Sequence, residues 1–147
     1  MRYDDALDDI ALIVEKQSTN SVEEVVTYLH DNFSKYSWVG IYLVYNGELV
    51  LGPWKGPHAT EHTNISIGEG ICGAAAASGR TEIIDDVASD KRYLACFVTT
   101  KSEIVVPIKK SGVVLGEIDI DSDVSNAFDE NDAEFLEKVA DFLSRVV

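Results

Sequence analysis

From Ser102 onward the chain alternates apolar and polar residues through Ser102-Glu103-Ile104-Val105-Val106-Pro107-Ile108 and again through Val113-Val114-Leu115-Gly116-Glu117-Ile118-Asp119-Ile120-Asp121-Ser122. A period of two marks both runs as strands. Lys110-Ser111-Gly112 between them predicts a type I turn closed by a left-handed glycine, which sets Glu103 opposite Asp119. Glu103, Asp119 and Asp121 then share one face, with Ile118 and Ile120 on the other. A second hairpin is predicted from residues 37–45 and 48–54, which flank Asn46-Gly47, and it puts Trp38, Gly40 and Tyr42 on one face.

Three stretches change to helical spacing. Residues 4–15 place Leu7, Ile10, Ala11 and Val14 on a stripe, residues 21–33 do so with Val22, Val25, Val26, Leu29 and Phe33, and residues 129–146 with Ala133, Leu136, Val139, Ala140 and Leu143. Ser21 followed by Glu24 predicts a capping box on the second helix. Between the hairpins the sequence predicts a short strand at 63–67, a turn at Gly68-Glu69-Gly70, a helix from Ile71 to Ser78 ended by Gly79, a strand at 81–84 and a long connection over 85–100. Helices, an antiparallel meander with an inserted helix, and a closing helix give an α+β fold. The terminal helices cover one sheet face, which leaves the other for a pocket.

At 147 residues and 46% hydrophobic content, the chain suits one core. It is expected to be a single domain over 1–147, with N-terminal helices in 1–35, sheet and pocket in 36–122 and a closing helix in 128–147. Twelve Lys and Arg against 26 Asp and Glu give a net charge of −14. That balance argues against nucleic acid and against anionic membrane surfaces, and it favours a cationic or zwitterionic partner. The acidic first turn lacks the apolar core of a signal peptide and no apolar run reaches membrane-spanning length, so a cytoplasmic protein is expected.

The chemistry lies in two thiols and three carboxylates. Acidic side chains facing each other destabilise a hairpin unless the face is well solvated or a cation lies between them, whether a ligand ammonium, a Lys or Arg, or a metal with oxygen ligands. Cys72 opens a helix after Gly-Glu-Gly, where amides and dipole lower a thiol pKa, and taken alone that would name it a nucleophile. Either cysteine could equally be a small buried core residue. Trp38 and Tyr42 fit core aromatics as well as ligand contacts, and His62 reads as a surface loop histidine.

Gly70-Ile71-Cys72-Gly73, Trp38-Val39-Gly40-Ile41-Tyr42, Leu94-Ala95-Cys96, residues 102–107 and Ile118-Asp119-Ile120-Asp121-Ser122 resemble GAF domains, specifically the free methionine-(R)-sulfoxide reductases. The resemblance implies a thiol-dependent reduction of free L-methionine (R)-sulfoxide. In it Cys96 attacks the sulfoxide sulfur and becomes a sulfenic acid, Cys72 resolves it as a disulfide, and a thioredoxin-like donor recharges the enzyme. It further implies that Glu103, Asp119 and Asp121 hold the substrate amine and that Trp38 and Tyr42 line the methyl-sulfoxide end, with no metal, flavin or nucleotide required. One carboxylic acid of the three could also protonate the departing oxygen. Two departures stand out: His62 replaces the first of the family's usual three cysteines, and Phe97 follows Cys96 where an acid is common. The alternative is a non-catalytic GAF module that binds a small ligand or senses redox state. The outer helices are candidates for a homodimer interface or for packing on the sheet.

Overall fold

A computed structural model describes the chain over residues 1–147 except Ala95, Cys96 and Val98. Two helices, α1 (Tyr3–Glu15) and α2 (Ser21–Asn32), precede the hairpin β1 (Trp38–Tyr45) and β2 (Glu48–Lys55). Then come β3 (Asn64–Ser66), α3 (Gly70–Ser78), β4 (Glu82–Ile84), a turn of 3₁₀ helix at Val87–Ser89, β5 (Ser102–Lys110), β6 (Val113–Ser122) and α4 (Glu130–Leu143). Among the described residues the strands form one six-stranded sheet in the order β3-β2-β1-β6-β5-β4, with each neighbouring pair antiparallel. The predicted meander is therefore closed through its middle, because β6 pairs with β1 as well as with β5.

That central pairing positions the site. Trp38 lies opposite Asp121, Gly40 opposite Asp119 and Tyr42 opposite Glu117, so the aromatic face of β1 and the acidic face of β6 are one surface. On the opposite face Val39, Ile41, Ile104, Val106, Ile118 and Ile120 pack against α1, α2 and α4 in the main core. The acidic face carries a smaller core, in which Ile71, Cys72, Ala75 and Ala76 of α3 meet Tyr42, Leu49 and Val105.

Both turns take positive φ at two residues, Asn46 (50°) with Gly47 (78°) and Ser111 (52°) with Gly112 (79°). The first is the expected hairpin turn. The second differs from the predicted three-residue loop: Lys110 pairs with Val113, and a bulge between Ile108 and Lys109 shifts the ladder again. Glu103 consequently faces Asp121, and Asp119 faces Val105. Because the displacement is two residues, every side chain keeps its predicted face.

The capping expected on α2 is not formed. Ser21 is the first helical residue, Asn20 precedes it without a side-chain cap, and the Ser21 hydroxyl donates to the Ile13 carbonyl at 3.3 Å. The capping box sits on α4, where the Asp129 carboxylate accepts from the amides of Asn131 (2.9 Å) and Asp132 (3.1 Å), and Asp132 accepts from the Asp129 amide (3.1 Å). Asp132 is also a hub: its fully buried carboxylate accepts from Tyr3 (2.8 Å), Tyr36 (2.8 Å) and Lys35 (2.7 Å), which ties α1 and the entry to β1 onto α4. Burial pushes this carboxyl up, but the hydrogen bonds from Lys35, the Asp129 amide, Tyr3 and Tyr36 outweigh it and hold the group below its ordinary value.

Truncating such a hub leaves an ammonium and two phenols without their acceptor. Asp132→Ala is expected to destabilise the protein by about 3–5 kcal/mol, measured by urea unfolding. A loss within experimental error would show that water replaces the carboxylate at no cost.

Candidate active site

Sheet alternation puts Glu117, Asp119 and Asp121 of β6 and Glu103 of β5 on the face beneath α3, and burial there is nearly complete: Glu117 is 0% exposed, Asp121 2%, Asp119 4% and Glu103 5%. Solvation, the first escape from like-charge repulsion, is thereby excluded. None of the ion pairs among the described residues involves these four side chains. Both oxygens of Glu117 and one each of Asp119 and Asp121 lack a hydrogen-bond partner among the described residues.

Such a cluster holds its protons. Burial raises the Glu103 carboxyl well above its ordinary value, with added repulsion from Asp119 and Asp121. Burial and then Asp119 raise Glu117, although the Cys72 thiol opposes the shift, and the same two causes raise Asp121 against a hydrogen bond to Glu103. Asp119 is raised by burial alone, while Glu103 and Cys72 pull it down. A cation introduced here would meet partly neutral acids that ionise to receive it.

Cys72 stands over this surface from the first turn of α3 and is buried. The expectation of a thiol made acidic by the helix start is overturned. Burial pushes the thiol well above its ordinary value, and the charges of Asp119, Glu117 and Glu103 push it the same way. Desolvation beside acids outweighs the dipole of a nine-residue helix.

Tyr42, Cys72, Glu103 and Asp119 line a cavity of about 20 Å³, roofed by His62, Ile71 and Leu94. The Tyr42 hydroxyl donates to the His62 carbonyl at 2.6 Å, so His62 belongs to the cavity wall and is not a plain surface loop residue. Trp38 lies one step along the same face. Its indole seats on Gly40, where an added Cβ would come within 2.3 Å of the ring. The ring is also stacked on Trp54 (centroids 6.1 Å apart), tilted against Phe97 (5.8 Å), and donates from Nε1 to the His58 carbonyl at 3.2 Å.

Six of the seven site residues named from the sequence thus share one sheet face and its cover. The seventh, Cys96, lies outside the described residues. The connection leading toward it is fastened by Arg92, whose guanidinium pairs with Glu82 (3.0 Å) and Asp90 (2.9 Å). Glu117 was missed by the sequence reading, although the alternation that joined Asp119 to Asp121 extends to it.

Comparison with known proteins agrees with this geometry. The GAF domain family matches residues 19–147. The free methionine-R-sulfoxide reductase of Saccharomyces cerevisiae is 42% identical over 113 residues, which span 74% of this chain and 62% of the yeast protein. That of Escherichia coli is 34% identical over 119 residues, covering 81% and 71% respectively. The structure of the Neisseria meningitidis free methionine-R-sulfoxide reductase with its substrate superposes with a TM-score of 0.92 at 36% identity, covering 98% of this chain and 87% of that one. The chain belongs to the GAF domain family and, within it, to the free methionine-R-sulfoxide reductases. Among the described residues no helix is long and apolar enough to cross a membrane.

The raised carboxyls have a consequence for stability. A group whose folded-state pKa exceeds its unfolded value, about 4 for Asp and Glu, contributes fully below that pH and loses its contribution as pH rises through the raised value. Asp132, held low, works in the opposite sense and loses its contribution as pH falls through its folded value. The ligand-free protein is therefore expected to melt highest in mild acid and progressively lower as pH rises. In Glu117→Gln the alkaline decline should be shallower. Parallel melting curves for the two proteins would contradict the assignment of a buried, proton-holding Glu117.

Proposed function

We propose that this protein reduces free L-methionine (R)-sulfoxide to methionine, and that its buried carboxylates are the device that selects the free amino acid. The observation that carries the reading is a cluster of raised carboxylates, three of them with oxygens that lack a hydrogen-bond partner among the described residues, on the face that carries Tyr42 and Trp38 in a chain of this family. The α-ammonium of a free amino acid supplies the missing cation, with Glu103, Asp119 and Asp121 as its acceptors. A residue inside a polypeptide has an uncharged amide at that position and would leave the acids unpaired. Tyr42 and Trp38 face the methyl-sulfoxide end.

In the reaction the Cys96 thiolate attacks the sulfoxide sulfur. The S–O bond breaks, methionine leaves, and the oxygen remains on Cys96 as a sulfenic acid. The Cys72 thiol then attacks that sulfur, a disulfide forms, and the hydroxyl departs with a proton as water. A thioredoxin-like dithiol returns two electrons and restores both thiols. Burial and the neighbouring acids raise the Cys72 thiol, which disfavours it as the nucleophile toward the sulfoxide; in the second step its proton leaves with the hydroxyl as water. With a raised pKa, one of the clustered acids can protonate the leaving oxygen.

The test is methionine production by the reduced protein from each epimer, free, N-acetylated and peptide-bound. Turnover should be confined to the free R epimer, vanish in Cys96→Ser, and fall by on the order of 100-fold on N-acetylation, the scale of lost hydrogen bonds to a charged group. With thioredoxin as reductant Cys72→Ser should stall after one turnover. Equal turnover of free and acetylated substrate would sink the ammonium-capture reading, and full activity in Cys96→Ser would sink the nucleophile.

A further inference from the structure

The acidic face holds more ligand chemistry than a single ammonium uses. The Cys72 sulfur, a Glu103 oxygen and an Asp119 oxygen all lie within 4.8 Å of one another, and all three residues are buried. Independently, one oxygen of the buried Asp119, which lines the cavity at this cluster, has no hydrogen-bond partner among the described residues. The cavity beside them, about 20 Å³, has room for one water or one ion.

We propose that Cys72, Glu103 and Asp119 form a binding site for one divalent transition cation of the zinc type. One sulfur and two carboxylate oxygens, with a water in the fourth position, make a donor set that a tetrahedral, borderline-soft ion accepts. Ligand atoms around such an ion stand about 3.5 Å apart, as bond lengths near 2.0–2.3 Å require. The existing cluster needs to contract by about an ångström, which side-chain rotation supplies. Magnesium and calcium prefer six or more oxygens and gain nothing from the sulfur. Asp121, which stands opposite Glu103 across the β5–β6 pair, becomes the outer partner that orients a ligand. The bound ion takes the carboxylates that would receive the substrate ammonium and ties up Cys72, so zinc is a reversible inhibitor; this second half rests on the function proposed above.

Cobalt(II) reports the site without reference to activity. Added to the reduced, chelator-treated protein, it should give the visible bands of tetrahedral cobalt and a near-ultraviolet thiolate-to-cobalt band, and zinc but not magnesium should abolish both. The thiolate band should persist in Cys96→Ser and disappear in Cys72→Ser. Affinity should drop on the order of 10-fold or more in the near-isosteric Asp119→Asn. No bands in folded, reduced wild type would overturn the site, as would a thiolate band lost with Cys96 and kept without Cys72. For the inhibition, methionine formed in a single turnover without added thiol should vanish with stoichiometric zinc and return with a chelator. Turnover unaffected by bound zinc would overturn the inhibition. Cobalt bands in a protein that turns over no sulfoxide even when metal-free would count against the proposed function alone.

Discussion

Four carboxylates buried side by side on one sheet face are the constraint to which the rest of the structure answers. Removing a charged carboxylate from water costs several kcal/mol unless a partner is supplied, and no ion pair among the described residues supplies one. The acids reduce the cost by keeping protons. The result is a surface that is tolerable when empty and strongly receptive to a cation. Tyr42, the indole of Trp38 seated on Gly40, and the first turn of α3 bound that surface, so that an arriving cation is held where its attached chain meets aromatic rings and sulfur.

The same residue type behaves oppositely elsewhere in the molecule. Asp132 is as thoroughly buried as Glu117, yet it is held low because three side chains and an amide donate to it. One carboxylate fastens helices; among the described residues both oxygens of Glu117 and one each of Asp119 and Asp121 have no hydrogen-bond partner. Partner count, more than burial, separates structural from functional acids in this fold. Cys72 obeys the same logic: a helix start that would sharpen an exposed thiol is overruled by the acids beneath it.

Much of this was legible in the sequence because it rests on periodicity. The hairpin at Asn46-Gly47, the helical stripes, and the shared face of Glu103, Asp119 and Asp121 follow from spacings of two and about four residues. The register between β5 and β6 did not, since turn type and a bulge at Ile108 are decided by local backbone geometry; the face survived only because the shift was even. The pairing of β1 with β6 is a long-range contact with no local signal, and without it the carboxylates and aromatics could not be joined. The burial of the acidic face, and with it the direction of every carboxyl and thiol shift, required the cover provided by α3. The capping of α4 by Asp129 and Asp132 went unread because Asp stands where a Glu was looked for, whereas Ser21 and Glu24 carried the motif without forming it.

The central claim is that the carboxylate cluster receives a substrate ammonium by giving up protons. Calorimetric titration of free methionine (R)-sulfoxide into Cys96→Ser, repeated at one pH in buffers of different ionisation enthalpy, measures those protons directly. The account predicts net proton release on binding, diminished in Glu117→Gln. Binding with no proton exchange, or with uptake, would contradict it, because an ammonium entering a cluster of raised carboxyls cannot leave their titration unchanged.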